Sequence, residues 1–427
     1  MIINFSVQNF GCIKDKVTLS FEATKSSDLE DYYIIEPKKG LRLLKLGLIY
    51  GPNASGKTTI LQALDFLRNI VLFPYPVKTL DFNFQPFLFD ENTPVENTFF
   101  SLEFIQKKVK YLYEVELNQR AVIAEKLYFY KPNKALVYKR QTDTDKQLSS
   151  IQFGSKIKLN GNYQLALMGN TLWNNTVFGG YLKTNFESLE MQEVITWFDI
   201  KLEQLIDTKT DSKLLAQILK KVENKELNKE NILAFLNKAD FHIKDFKVVK
   251  KERKNSFRIR GKSSDEKFID DMDISIFHSN GQNNNVYPLD YFLESQGTQR
   301  YFQFAGLLDL LLTKQFILSI DEIATSLHPD LIEHFLLTFL VNSTESQLIA
   351  TTHHRELLMK KDILRKDAIW FTEKKPDGSA DLFSLADFDS SVIRDTTSIY
   401  NAYKAGKLGA IPNLSDYYIE LANGEKK

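Results

Sequence analysis

The sequence predicts an α/β fold that carries a β-rich lobe and a helical insertion. Three observations lead there. A short apolar run, Leu43–Tyr50, passes through a glycine-rich loop into a segment with helical periodicity. Aromatic and branched runs separated by turn residues fill the stretch 82–140. Long amphipathic stretches then occupy 170–240.

The elements follow in order. In IINFSVQNF the apolar Ile3, Phe5 and Val7 alternate with polar neighbours, as a half-buried strand requires, and Val17 to Phe21 alternate again. LLKLGLIY, ending at Tyr50, has the length of a buried strand rather than a helix. Ile60, Leu64, Leu67 and Val71 then share one helical face, so residues 43–73 read as strand, loop, helix. FFSLEFI, KYLYEVEL and KLYFYK read as consecutive antiparallel strands. The stretches 189–206 and 213–239 are long and amphipathic enough to be helical. Lys244–Lys262 is basic and β-leaning, a hairpin by its pattern, whereas SSDEK and HSNGQNNN read as turns or loops. A second α/β portion runs from Pro288 to Leu385. The expected division is 1–165, the first α/β half with the antiparallel lobe; 166–243, the helical insertion; and 244–427, the second half with a short tail.

Composition narrows the class. A chain of 427 residues, 43% hydrophobic, can bury a sizeable core, and at about 100–200 residues per domain it holds two or three folding units. Lys+Arg and Asp+Glu are 55 each, a balance that argues against a histone-like wrapper of nucleic acid. The single cysteine, Cys12, rules out a disulfide scaffold and a multi-cysteine zinc site. No apolar leader segment opens the chain, and no run of about 18 uncharged apolar residues occurs. A cytoplasmic protein without a membrane span is expected.

Four motifs carry chemistry. Gly51-Pro52-Asn53-Ala54-Ser55-Gly56-Lys57-Thr58-Thr59 fits the P-loop pattern. Glycines let backbone N–H groups turn inward around phosphate oxygens, and the following helix adds unpaired N–H groups and its positive end. Lys57 is placed to reach the β- and γ-phosphates, and Thr58 to ligate Mg²⁺. Far downstream, Phe316–Ile320 is an apolar strand that ends in Asp321 and Glu322. Two adjacent carboxylates there make sense beside a metal and a water: Asp321 to hold Mg²⁺, Glu322 to polarise the attacking water. The 264 residues from Lys57 to Asp321 point to a nucleotide fold split by a large insertion. Third, Ser295-Gln296-Gly297 precedes a helix with Phe304, Leu307, Leu308 and Leu311 on one face, which puts Ser295 and Gly297 at a phosphate-compatible helix end. A plain serine cap would give the same residues. Fourth, the apolar run Gln347–Thr352 ends at His353, a candidate γ-phosphate sensor, with His354 as the adjacent competitor.

Taken in order, these residues resemble an ABC-type ATPase head of the SMC/Rad50 kind. Gly51–Thr58 is similar to Walker A, Ser295-Gln296-Gly297 to a shortened ABC signature, Ile320-Asp321-Glu322 to Walker B with its catalytic glutamate, and His353 to the switch histidine. Leu327-His328-Pro329 after Walker B, then Asp367–Phe371, Asp377-Gly378 and Tyr403 through Pro412, resemble the AAA15/AAA21 group. That group includes ATPase subunits of abortive-infection and phage-defence pairs of the AbiL and RloA types. The segment after Glu322 departs from the ABC pattern, because it lacks the usual Ala-Leu-Asp. Gln85 lies where a Q-loop glutamine would lie. The resemblance implies a homo-oligomer, at least a dimer, in which the signature of one copy completes the ATP and Mg²⁺ site of another.

The function this implies is an ATP-binding, ATP-hydrolysing switch that controls a partner effector encoded nearby, in bacterial anti-phage defence. The alternative is a RecF- or Rad50-like ATPase that binds DNA in repair or maintenance. Nine Lys and Arg between Lys244 and Lys262 could grip a phosphate backbone or form a solvated hairpin face. A self-contained nuclease with a Toprim domain is disfavoured, because the 73 residues after His354 fall short of the roughly 100 that such a domain needs. A transporter subunit is disfavoured by the shortened signature and the large polar insertions.

Overall fold

The computed structural model describes residues 1–157, 159–207, 211–239, 241–250, 272–279, 285–389 and 398–412. The apolar run before the glycine loop forms the strand Leu46–Tyr50, with all five residues buried. Such a strand needs no polar alternation, because neither face meets water. It is the middle strand of a five-stranded sheet, in the order Ile317–Ile320, Gln347–Thr352, Leu46–Tyr50, Ile369–Lys374, Ala380–Ser384. The first four strands are parallel and the last is antiparallel. Their carboxyl ends therefore share one edge, where α/β sheets collect binding residues. The helix Lys57–Leu72 follows the middle strand and buries Ile60, Leu64, Leu67 and Val71.

A second sheet has seven antiparallel strands, in the order Leu148–Phe153, Lys134–Asp143, Val122–Tyr130, Val109–Leu117, Thr98–Gln106, Ile2–Gln8, Val17–Ser20. The lobe thus recruits the N-terminal strands as well as the aromatic-rich runs. Phe100, Leu102, Tyr113 and Leu127 of its inner face join the core that holds the glycine-loop helix. Glu125 and Arg140, both fully buried, lie 3.5 Å apart on neighbouring strands. Glu125 accepts from the hydroxyls of Tyr113 and Tyr138 and from the Val177 N–H; Arg140 donates to Ser149 and to the carbonyls of Leu172 and Trp173. Burial pushes the Glu125 carboxyl up, and Arg140 opposes that rise. The pair ties the lobe to the insertion.

The helices Gly161–Asn170, Val177–Tyr181, Leu189–Thr196, Asp211–Glu223 and Lys229–Lys238 follow the lobe, the first starting before the expected boundary at 166. Two expectations need correction. The helix over 189–206 stops at Thr196, passes through the wide turn Trp197–Lys201, and gives way to extended chain. Leu202–Ile206 lies parallel along Ile317–Ile320: the Glu203 N–H donates to the Ile317 carbonyl (3.0 Å) and the Ile206 N–H to the Ser319 carbonyl (2.9 Å). A bare sheet edge offers a row of unpaired backbone groups, and covering it outweighs continuing the helical pattern. Residues 213–239 form two helices, interrupted at Lys225, which adopts φ +59°; Asn228 caps the second.

The second correction concerns the basic stretch. The strand Ile243–Lys250 pairs with Met272–Ser279, which pairs in turn with Val286–Asp290. His278 and Ser279, expected in a loop, are strand residues, because Tyr287 and Val286 offer them a paired edge. Lys251, Arg253, Lys254, Arg258, Arg260, Lys262 and the SSDEK stretch lie outside the described residues.

The helix Gln296–Thr313 is buried at every position from Arg300 to Leu311, not only on its apolar stripe. An insertion helix covers the other face so closely that a Cβ at Gly306 would meet Ile218 at 2.8 Å. Among the described residues, no helix is long and apolar enough to cross a membrane.

Candidate active site

The loop 51–56 turns sharply between strand and helix, and its glycines are dictated by geometry. A Cβ at Gly51 would lie 2.4 Å from the Thr372 hydroxyl and 2.6 Å from the Thr372 carbonyl. Gly56 adopts φ +103° at the helix N-cap, and Ala54 adopts φ +61°. Ser55 Oγ lies 2.6 Å from Thr372 Oγ1, which anchors the loop to the neighbouring strand. No described side chain caps the helix, so its first N–H groups keep their capacity for an anion. Thr59 sits one turn in, with Oγ1 3.2 Å from Cys12 Sγ.

Lys57 is 5% exposed, and Nζ donates to the carbonyls of Gly51 (3.0 Å) and Pro52 (3.1 Å). Thr58 Oγ1 donates to the Asp321 carboxylate, at 2.9 Å to Oδ2 and 3.1 Å to Oδ1, across 263 residues of chain. The Thr351 hydroxyl donates to Asp321 Oδ1 at 2.6 Å and accepts the Glu322 N–H at 2.8 Å. Glu322 itself adopts φ +52°. That left-handed turn sends the two adjacent acids to different partners. Asp321 faces Thr58 and Thr351; Glu322 places Oε1 3.6 Å from Lys57 Nζ and Oε2 2.6 Å from His353 Nδ1. His354 lies beside Glu356 instead, at 3.8 Å.

A cavity of about 1330 Å³ opens above the loop, lined by Gly51, Pro52, Asn53, His353, Arg355 and Lys374 among others. Ser295 and Gly297 line no part of it. Ser295 caps its helix by accepting the Thr298 N–H (3.1 Å), and a Cβ on Gly297 would stand 3.3 Å from the Ser326 carbonyl. Their helix end borders a separate cleft with Phe292, Thr325 and Ser326. The Gln85 amide accepts from Gln119 (3.3 Å), and its carbonyl takes the Gly11 N–H. Two contributors escaped sequence reasoning. Thr351 bridges both acids, and Thr372 packs on the loop; each is a fully buried threonine in an otherwise apolar run, and only their proximity to the histidines or the loop could have flagged them.

The donor set fits a magnesium ion. Thr58 and Asp321 are hard oxygen donors in contact with each other and would hold the ion, which would draw its remaining ligands from phosphate and water. Among the described residues no group of three or more His, Cys, Asp or Glu forms an all-protein metal cage, which this cation does not need.

Such convergence of a glycine loop with an acid strand on a parallel sheet is the arrangement of P-loop ATPase domains. The chain belongs to the family described as "AAA domain, putative AbiEii toxin, Type IV TA system", whose model matches residues 48–150 and 203–359. The unmatched interval ends where the edge strand Leu202–Ile206 begins. Among solved structures the chain is similar to the SMC head domain from Thermotoga maritima, at 13% identity over 90% of this chain and 98% of that one, with a TM-score of 0.41. An SMC head bound to the C-terminal winged-helix domain of ScpA gives 14% identity, 90% and 97% coverage and a TM-score of 0.48. An SMC head with an extended coiled coil bound to the C-terminal domain of ScpA, derived from Pyrococcus furiosus, gives 11%, 95%, 98% and 0.42. No curated protein matches the chain.

Proposed function

We propose that the chain binds ATP with Mg²⁺, hydrolyses it, and uses the cycle to switch a partner effector in anti-phage defence. The observation that carries the nucleotide reading is the Thr58–Asp321 contact, with Glu322 set between Lys57 and His353. The loop backbone 51–56 and Lys57 bind phosphate oxygens. Thr58 and Asp321 hold the magnesium, which neutralises phosphate charge when bound. Glu322 orients the attacking water, and His353 holds the Glu322 carboxylate on the side away from Lys57. Ser295 and Gly297, at a helix end outside the lining of their own loop cavity, serve the site of a second copy, so the working unit is at least a dimer. The family description, with its type IV toxin–antitoxin wording, supports the defence role. A second reading, a DNA-binding ATPase, draws on Lys244 and Lys247 of the strand that leads into the basic run.

Turnover assays and light scattering test this. Glu322→Gln should hold an ATP-dependent dimer with turnover reduced at least about 100-fold, in the range for loss of a positioned general base. Lys57→Ala should lose nucleotide binding. Normal turnover in Glu322→Gln refutes the assignment. DNA binding that falls steeply with salt would favour the second reading.

A further inference from the structure

Away from the loop, a second cavity of about 330 Å³ sits between the glycine-loop helix, the edge strand 202–206 and the helices Asp211–Glu223 and Gln296–Thr313. Its size falls within the roughly 300–1,000 Å³ typical of small-molecule sites. Its floor is apolar, with Ile218, Leu307, Leu311 and Phe316 among its residues. Its polar lining is biased toward positive charge: Arg68, Lys213 and Lys221 against a single acid, Glu203. Glu203 lies 3.7 Å from Lys221, and Arg68 gives its Nε–H to the Leu202 carbonyl (2.7 Å) with its guanidinium 6.0 Å from the Phe73 ring centroid. An apolar floor with two cations in excess matches one ligand chemistry, an apolar body with an anionic head.

We propose that this cavity binds a small amphipathic anion, such as a medium-chain carboxylate, with its chain on the Ile218–Phe316 floor and its head between Arg68 and Lys213. The position gives such a ligand a route to the nucleotide site. The wall strand 202–206 is tied on one side to the loop helix, through Arg68 and through Asp65, which accepts the Leu205 N–H at 3.0 Å. On its other side the Ile206 carbonyl accepts the Asp321 N–H at 2.8 Å. A ligand that stiffens this strand therefore touches both halves of the candidate active site. Binding itself does not depend on the nucleotide reading.

Titration calorimetry of the full chain with decanoate, decanol and decylammonium tests the site, and hydrogen exchange at the Ile206 and Asp321 amides tests the coupling. Decanoate should bind saturably, at least tenfold tighter than decanol, with slowed exchange at both amides. The surface variant Lys213→Glu with Lys221→Glu should weaken decanoate at least tenfold while leaving the fold intact, and Leu310→Trp should block it by filling the cavity. No saturable decanoate binding to the native chain up to about 1 mM, the weak end of the affinity scale, overturns the proposal. So does equal binding of decanol, or unchanged decanoate affinity in the charge-reversed variant.

Discussion

Thr351→Val removes one hydroxyl from the joint between the two acids and keeps the side chain's volume. Thr351 is fully buried, and its hydroxyl serves two neighbours at once: it donates to Asp321 at 2.6 Å and accepts from the Glu322 N–H at 2.8 Å. The lost bond to a carboxylate is worth about 1.5–3 kcal/mol, and the stranded N–H costs about 1–3 kcal/mol. Glu322 also sits in a left-handed conformation that costs a side-chain-bearing residue about 1–2 kcal/mol, and the hydroxyl helps to hold it there. The expected destabilisation is about 2.5–6 kcal/mol. Thr351→Ser keeps both bonds and loses one methyl, about 1 kcal/mol. Urea unfolding with a common slope reads the difference, and ATP turnover on the same samples shows whether the acids have lost their positions. Thr351→Val within about 0.5 kcal/mol of the native chain, the usual span of a neutral surface change, refutes the bridging role. Thr351→Ser as damaging as Thr351→Val would refute it too.

Gly51→Ala should distort the loop, because its methyl would collide with the Thr372 carbonyl as well as the hydroxyl; a loss of about 1–3 kcal/mol in urea and weaker nucleotide binding are expected. Arg140→Met strands the buried Glu125 and should cost about 3–5 kcal/mol, measured by denaturant melts. With Arg140 gone, burial raises the Glu125 carboxyl against only the hydrogen bonds from Tyr138, Val177 and Tyr113, so the acid takes up a proton more readily in the folded chain than in the unfolded one. Stability from that proton is present at low pH and lost as pH rises, so the deficit of Arg140→Met should be larger at pH 8 than at pH 5. Adding Glu125→Gln should recover much of the loss and flatten the pH dependence.

The parts legible in the sequence are those where one local constraint dictates residue type. A loop that wraps phosphate needs glycine at fixed spacing, so Gly51–Thr59 announces itself. A buried strand tolerates acids only at its end, so Asp321 and Glu322 stand out after Phe316–Ile320. The lobe strands show through their alternation. What stayed hidden depends on partners far along the chain. Residues 197–206 satisfy a helical pattern, and only the open edge of Ile317–Ile320 explains why they turn and extend. His278 looks like a loop residue until Tyr287 is placed opposite it. Thr351 carries no mark beyond its nearness to His353 and His354, because a buried threonine in a strand is ordinary until two acids are found on its hydroxyl.

The edge strand limits how the molecule can be trimmed. A minimal version that excised everything from 166 to 243 would leave the Ile317 and Ser319 carbonyls and the Asp321 amide without the hydrogen bonds that 202–206 now supplies. A shortened protein that keeps its active geometry has to retain those five residues and make its splice beyond them.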